Sequence, residues 1–129
     1  MIIIGEKING AIPSIKQAIA ERNEALIIER TLAQAAAGAN FLDCAPSTAT
    51  EIEYETMVWL IGLMQGATNV PLCIDSPNAK LLARVIEEGH LNKPGMVNSV
   101  NEEGDKCETI FPLIAGTPWE VVGLTCDQE

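Results

Sequence analysis

Hydrophobic positions along the chain fall into two alternating patterns. Residues 1–4, 41–44, 71–74, 96–100 and 119–124 are short, mostly apolar runs rich in Ile, Val and Leu. Such runs mark strands buried on both faces. Between them the period changes to that of a helix. Thr50 and Glu53 have the spacing of a capping box, and Met57, Leu60, Ile61 and Met64 follow at i, i+3, i+4 and i+7. Ser76 before Pro77 reads as an N-cap and first helical residue, with Leu82, Val85 and Ile86 inward and Gly89 as the stop. The stretch from Ser14 to Ala37 reads as two helices. Asn23 caps the second, which is expected to turn Ile28, Leu32, Ala35 and Ala36 inward before Gly38. Residues 105–115 are ambiguous, because Pro112 would kink or end a helix there.

Strand and helix in strict alternation predict a parallel sheet, since a parallel neighbour is reached only through a long, covered crossover. Two α/β architectures compete. Five such units suit a flavodoxin-like doubly wound sheet, whereas a (β/α)8 barrel needs about 250 residues and would be half present in 129. The chain ends at Asp127-Gln128-Glu129, just past its fifth strand, without the helix that would cover a finished doubly wound sheet. The expectation is therefore the N-terminal half of a barrel: about five strands with four helical connections, one partial domain over residues 1–129. Open first and fifth strands would drive association, either with a second copy as a homodimer or with the other half.

Composition narrows the partners. Eight basic residues against 18 acidic ones give a formal net charge of −10, so there is no basic face to neutralise nucleic acid or an anionic membrane. No apolar run approaches the roughly 20 residues that span a bilayer, and the start lacks a positive n-region, so a cytoplasmic protein is expected. Cys44, Cys73, Cys107 and Cys126 have no C-x-x-C spacing and suggest neither a zinc site nor a disulfide framework. Cys44 reads as a packed strand thiol. His90, just past Gly89, reads as a surface residue, and Glu51, Glu53 and Glu55 as a solvated face.

In either architecture ligands meet the carboxyl ends of the strands. The first strand runs into Glu6, Lys7 and Asn9, the second into Asp43, the third into Asp75 and Ser76, the fourth into Asn98, Ser99 and Asn101, and the fifth into Thr125 and Asp127. Carboxylates accept from ring N–H and amino groups, while asparagine both donates and accepts, so the set suits a neutral heterocycle with amide-like edges. Neither G-x-G-x-x-G after a strand nor a P-loop occurs, so a phosphate cradle lacks its backbone signature. Ser76 has no histidine beside it and reads as a cap rather than a nucleophile.

These residues carry a family likeness. Ile-Ile-Gly-Glu-Lys-Ile-Asn-Gly at 3–10, Leu-Cys-Ile-Asp-Ser at 72–76, Val-Asn-Ser-Val-Asn at 97–101, Phe-Pro-Leu at 111–113 and Val-Gly-Leu-Thr at 122–125 occur in order over the whole chain. Together they resemble the methyltetrahydrofolate:corrinoid protein methyltransferases, which are pterin-binding (β/α)8 barrels about twice this length. Dihydropteroate synthase, a relative by fold, is a weaker match: its Thr-Arg-Pro-Gly loop after the second strand is replaced by Asp43-Cys-Ala-Pro-Ser-Thr. A non-catalytic flavodoxin-like module is the other alternative, but the acids of a receiver and the Asp-x-His-x-x-Gly of a cobalamin module are missing from the sequence.

The resemblance implies that Asp75 and Asn98 hold the pterin ring, with Asp43, Asn9, Glu6 and Ser99 lining the same cavity. Ala45 departs from an asparagine of the family, and the family's later pterin aspartate and proton-relay asparagine fall beyond Glu129. The implied reaction moves the N5-methyl group between methyltetrahydrofolate and the cobalt of cobalamin, a corrinoid carried by a partner protein. Tetrahydrofolate leaves poorly as an anion, so hydrogen bonding or protonation at N5 must grow towards the transition state.

Overall fold

The computed structural model describes residues 2–100 and 119–123, the side chains of 98–100 and 120–123 excepted. Its elements run β1 (Ile4–Gly5), α1 (Pro13–Glu21), α2 (Glu24–Ala36), β2 (Phe41–Cys44), α3 (Thr50–Ala67), β3 (Leu72–Asp75), α4 (Ala79–Glu87), β4 (Met96–Val100) and β5 (Glu120–Gly123). The five strands pair in chain order, β1-β2-β3-β4-β5, and every pair is parallel. A doubly wound sheet reverses its order at a switch point. This sheet does not reverse. The connection from β4 to β5, with the ambiguous stretch 105–115, lies outside the described residues, as do Cys107, Cys126, Asn101, Thr125 and Asp127.

Alternation along the strands divides the sheet into two faces. Leu42, Cys44, Leu72, Ile74 and Val97 join one buried cluster with Ile15 of α1, Ile27 of α2, Met57, Leu60, Ile61 and Met64 of α3, and Leu82 and Val85 of α4. Cys44 is fully buried with its sulfur 3.6 Å from that of Met57, as a packed thiol should be. Asp43, Cys73, Asp75 and Met96 occupy the alternate positions, on the other face.

Three local expectations are corrected. The first strand starts at Ile4 rather than Met1, because its partner begins at Phe41, opposite Ile4. Ile2 and Ile3 precede the paired residues and are 56% and 49% exposed, although the Ile3 carbonyl still accepts the Phe41 amide at 3.2 Å. In α2 the inward residues are Ile27, Thr31 and Gln34, one position away from the expected stripe, and Leu32 is exposed. Polar groups can be buried there because each is satisfied: the Thr31 hydroxyl donates to the Ile27 carbonyl at 2.8 Å, and Gln34 Oε1 accepts the Lys7 amide at 2.9 Å. Gly5 makes room for that glutamine, since a Cβ on it would stand 2.6 Å from Gln34 Oε1. Asn23 does cap α2, accepting from the Leu26 amide. Finally, α4 begins at Ala79 and is capped by Asn78, whose Oδ1 accepts from the Lys80 and Leu81 amides. Ser76 and Pro77 precede the helix.

Candidate functional site

The β1–α1 and β2–α3 loops are bound to each other. Asn9 bridges Ala45 in parallel register, the Ala45 amide donates to the Ile8 carbonyl, and the Gly10 amide donates to the Ala45 carbonyl at 2.8 Å. Gly10 is required by this approach: a Cβ there would lie 1.9 Å from the Pro46 carbonyl oxygen. The Asn9 Oδ1 accepts from the Ala11 amide at 2.8 Å and the Ser47 hydroxyl at 3.0 Å. Part of Asn9's hydrogen-bonding capacity therefore holds the two loops together. Glu6 and Lys7 are exposed on the β1 side of this junction.

Asp43 lies within β2, opposite Cys73 of β3, and is only 2% exposed. A buried carboxylate needs donors. Its carboxylate accepts one hydrogen bond from the Cys73 thiol. Burial first, and then the carboxylates of Asp43 and Asp75, push the thiols of both Cys73 and Cys44 far above the ordinary cysteine range. Burial and the neighbouring carboxylates thus favour the protonated form of both thiols. Asp75, half-buried at the last position of β3, sits two residues beyond Cys73 on the same face and pairs in register with Asn98 of β4. Between β4 and β5 the register slips: Asn98 faces Val122, but Val100 faces Gly123, so Ser99 is the extra residue of a β-bulge. Bulges bend a strand and occur often beside binding sites.

The described residues thus bring Asp43 and Asp75 to one sheet face, set Asn98 beside Asp75 in the ladder, and leave Asn9 and Glu6 on the neighbouring loop. What this arrangement offers is hydrogen-bond acceptance and orientation. Among the described residues no group of three His, Cys, Asp or Glu side chains could hold a metal ion, and no helix is long and apolar enough to cross a membrane. A cavity of about 320 Å³ lies elsewhere, between α1 and the β2–α3 loop, lined by Lys16, Ile19, Pro46, Ser47 and Ile52. Neither aspartate lines it.

Two residues read as solvent-facing are drawn inward. Glu53 is 4% exposed. It makes no capping box: the N-cap of α3 is Ala49, with no side-chain hydrogen bond, and the Glu53 carboxylate accepts the Ser76 hydroxyl at 2.6 Å. The sequence did hold a signal, because Glu53 lies four residues before Met57 on the buried stripe of α3. His90 is half-buried, its Nε2 2.8 Å from the Tyr54 hydroxyl and its carbonyl accepting from Gln65. Gly89, at φ 73°, turns the chain back over α3 and produces that contact.

The motif likeness extends to overall identity. The sequence is 50% identical, over 98% of its length, to a protein of Eubacterium limosum named methylcorrinoid:tetrahydrofolate methyltransferase. The chain is a relative of that enzyme. It spans about half of the relative's length, 47%. No family model matches the sequence. Identity of this extent carries the methyltransferase likeness beyond the five motifs, and the parallel α/β sheet in chain order accords with it.

Proposed function

We propose that the protein containing this chain moves a methyl group between N5 of tetrahydrofolate and the cobalt of a corrinoid presented by a partner protein. The observation that carries the reading is the pair Asp43 and Asp75 on the sheet face away from the helices, with Asn98 in the ladder beside Asp75. Strands in sequential order, with helices packed against one face, suit the opening half of a (β/α)8 barrel whose inner face and strand ends form a pterin cavity. The relative's name adds the methyl donor and acceptor.

In this reading Asp75 accepts from the N–H edge of the pterin, and Asn98 offers a donor and an acceptor to the amide-like edge beside it. Asp43, deeper and already bonded to Cys73, sets the polarity of the floor. Glu6, Asn9 and Ser99 complete the rim. The pterin is thereby oriented so that the bond from N5 to the methyl carbon lies open to the corrinoid, which serves as substrate and not as a group resident in this chain. When that bond breaks, the electron pair stays on N5, so a hydrogen bond or proton at N5 must strengthen as the methyl leaves.

The test is binding and turnover with the full-length protein. Methyltetrahydrofolate should bind, and its methyl group should pass to cob(I)alamin with the accompanying change in the corrinoid spectrum. Asp75→Asn should weaken pterin binding about tenfold or more, the loss of a charge-assisted hydrogen bond. Wild-type affinity in that variant would remove Asp75 from the site, and a protein that neither binds nor transfers would end the reading.

A further inference from the structure

The buried stripe of α3 is apolar through Met57, Leu60, Ile61 and Met64, yet its first turn carries Glu53, 4% exposed. A carboxylate in such a place lowers stability unless it is well paired. Its partner is Ser76, itself 2% exposed, whose hydroxyl donates to Glu53 at 2.6 Å and accepts the Asn78 amide at 3.0 Å. Asn78 in turn caps α4. One continuous set of hydrogen bonds therefore runs from the start of α3, through the residue after β3, to the start of α4.

Ser76 directly follows Asp75. In extended backbone, successive side chains leave on opposite sides. The pair is thus divided: Ser76 is held on the helix side by Glu53, and Asp75 falls on the Cys73 side. We propose that Glu53 is a positioning residue for Asp75, acting through Ser76. Fixing the hydroxyl of Ser76 fixes the backbone at the exit of β3, and with it the direction in which the Asp75 carboxylate leaves the sheet. A binding carboxylate must be held within about 0.5 Å of its productive place by supporting hydrogen bonds of this kind, and a displacement of about 1 Å costs on the order of a hundredfold. The inference rests on Asp75 being a pterin ligand.

The experiment measures methyltetrahydrofolate affinity of the full-length protein in a double-mutant cycle, alongside thermal unfolding. Ser76→Ala, and separately Glu53→Gln, should each weaken binding about tenfold in the Asp75 background, by analogy with other supporting partners. In the Asp75→Asn background the same changes should alter affinity less than about twofold, because the group they position is no longer a carboxylate. Ser76→Thr keeps the hydroxyl and should retain affinity. Equal losses in both backgrounds would mean a merely structural role and would overturn the proposal. So would unchanged affinity in both Ser76→Ala and Glu53→Gln. If Ser76→Ala does not fold, Glu53→Gln with Ser76→Thr decides the question in the same way. An inert Asp75→Asn, by contrast, would remove Asp75 from the site, which is the premise of this step rather than the positioning itself.

Discussion

The two faces of the sheet solve opposite problems with the same strands. Towards the helices, Leu42, Cys44, Leu72, Ile74 and Val97 are apolar, buried and closely packed. On the other face Asp43, Cys73, Asp75 and Met96 alternate with them, and two of the four are carboxylates. Asp43 is as buried as its apolar neighbours, at 2%. Burial alone therefore does not separate the faces. The expected difference lies in what loss of a key side chain disrupts: packing at Ile74 on one face, and hydrogen-bonding geometry at Asp75 on the other.

Neighbouring residues on β3 give the sharpest way to break that comparison. Ile74→Ala should destabilise the fold by about 2–5 kcal/mol through lost burial and the cavity left behind. Asp75→Asn, one residue on, should change stability by less than about 1 kcal/mol, as half-buried substitutions outside the core usually do, while lowering pterin affinity about tenfold. Chemical denaturation and ligand titration of both variants check this together. If Asp75→Asn unfolded the protein as readily as Ile74→Ala, the second face would be structural as well.

Gly10→Ala tests the junction between the first two loops. The added methyl would meet the Pro46 carbonyl at 1.9 Å, so the Gly10–Ala45 hydrogen bond must stretch and the loops must part. Overpacking of this kind costs about 1–3 kcal/mol, and the shift in the unfolding midpoint measures it. Alkylation gives a complementary test of the two faces. Cys44 lies on the helix face and Cys73 on the other, yet both thiols are buried and kept protonated. Neither should react at neutral pH until the protein unfolds, as mass mapping after brief labelling will show. Rapid labelling of Cys73 alone would mean that the second face opens to solvent.

Much of the first face was legible, because apolar periodicity reports burial directly. The stripe from Met57 to Met64, the inward Leu82 and Val85, and the spans of β2 and β4 all stand where the pattern puts them. The pattern fails where polar side chains are buried. Thr31 and Gln34 displaced Leu32 from the α2 interface because a backbone amide on the β1 loop and a carbonyl on the helix itself satisfy them. Glu53 looked like half of a local capping box, but its acceptor capacity is met by Ser76, 23 residues away. Such pairings are tertiary, and no local spacing encodes them. The candidate residues Asp43, Asp75 and Asn98 stood out in the sequence because a polar residue ending an apolar run is conspicuous, and the motif likeness covers Asp75 and Asn98.

The smallest effect separates both faces from the outer surface of the helices. Half-buried Tyr54 and His90 cluster there with exposed Arg84 and Glu88, Arg84 stacked 3.6 Å over the Tyr54 ring. The Tyr54 hydroxyl, then Arg84, hold the Glu88 carboxyl below its ordinary value of 4.5. A carboxyl whose folded pKa is depressed stabilises the fold above its unfolded pKa, and that contribution is lost as pH falls through the folded one. The same bond raises the Tyr54 hydroxyl above 10.0, so its contribution is present below that pH and lost as pH rises through the folded value. Exposure and salt keep both contributions small. Replacing Glu88 with Gln should therefore slightly flatten the fall in stability below about pH 4.5 and the fall above about pH 10, with methyltetrahydrofolate affinity unchanged. Urea midpoints across that range measure the first effect, and a change in affinity would tie this surface to the proposed site on the far side of the sheet.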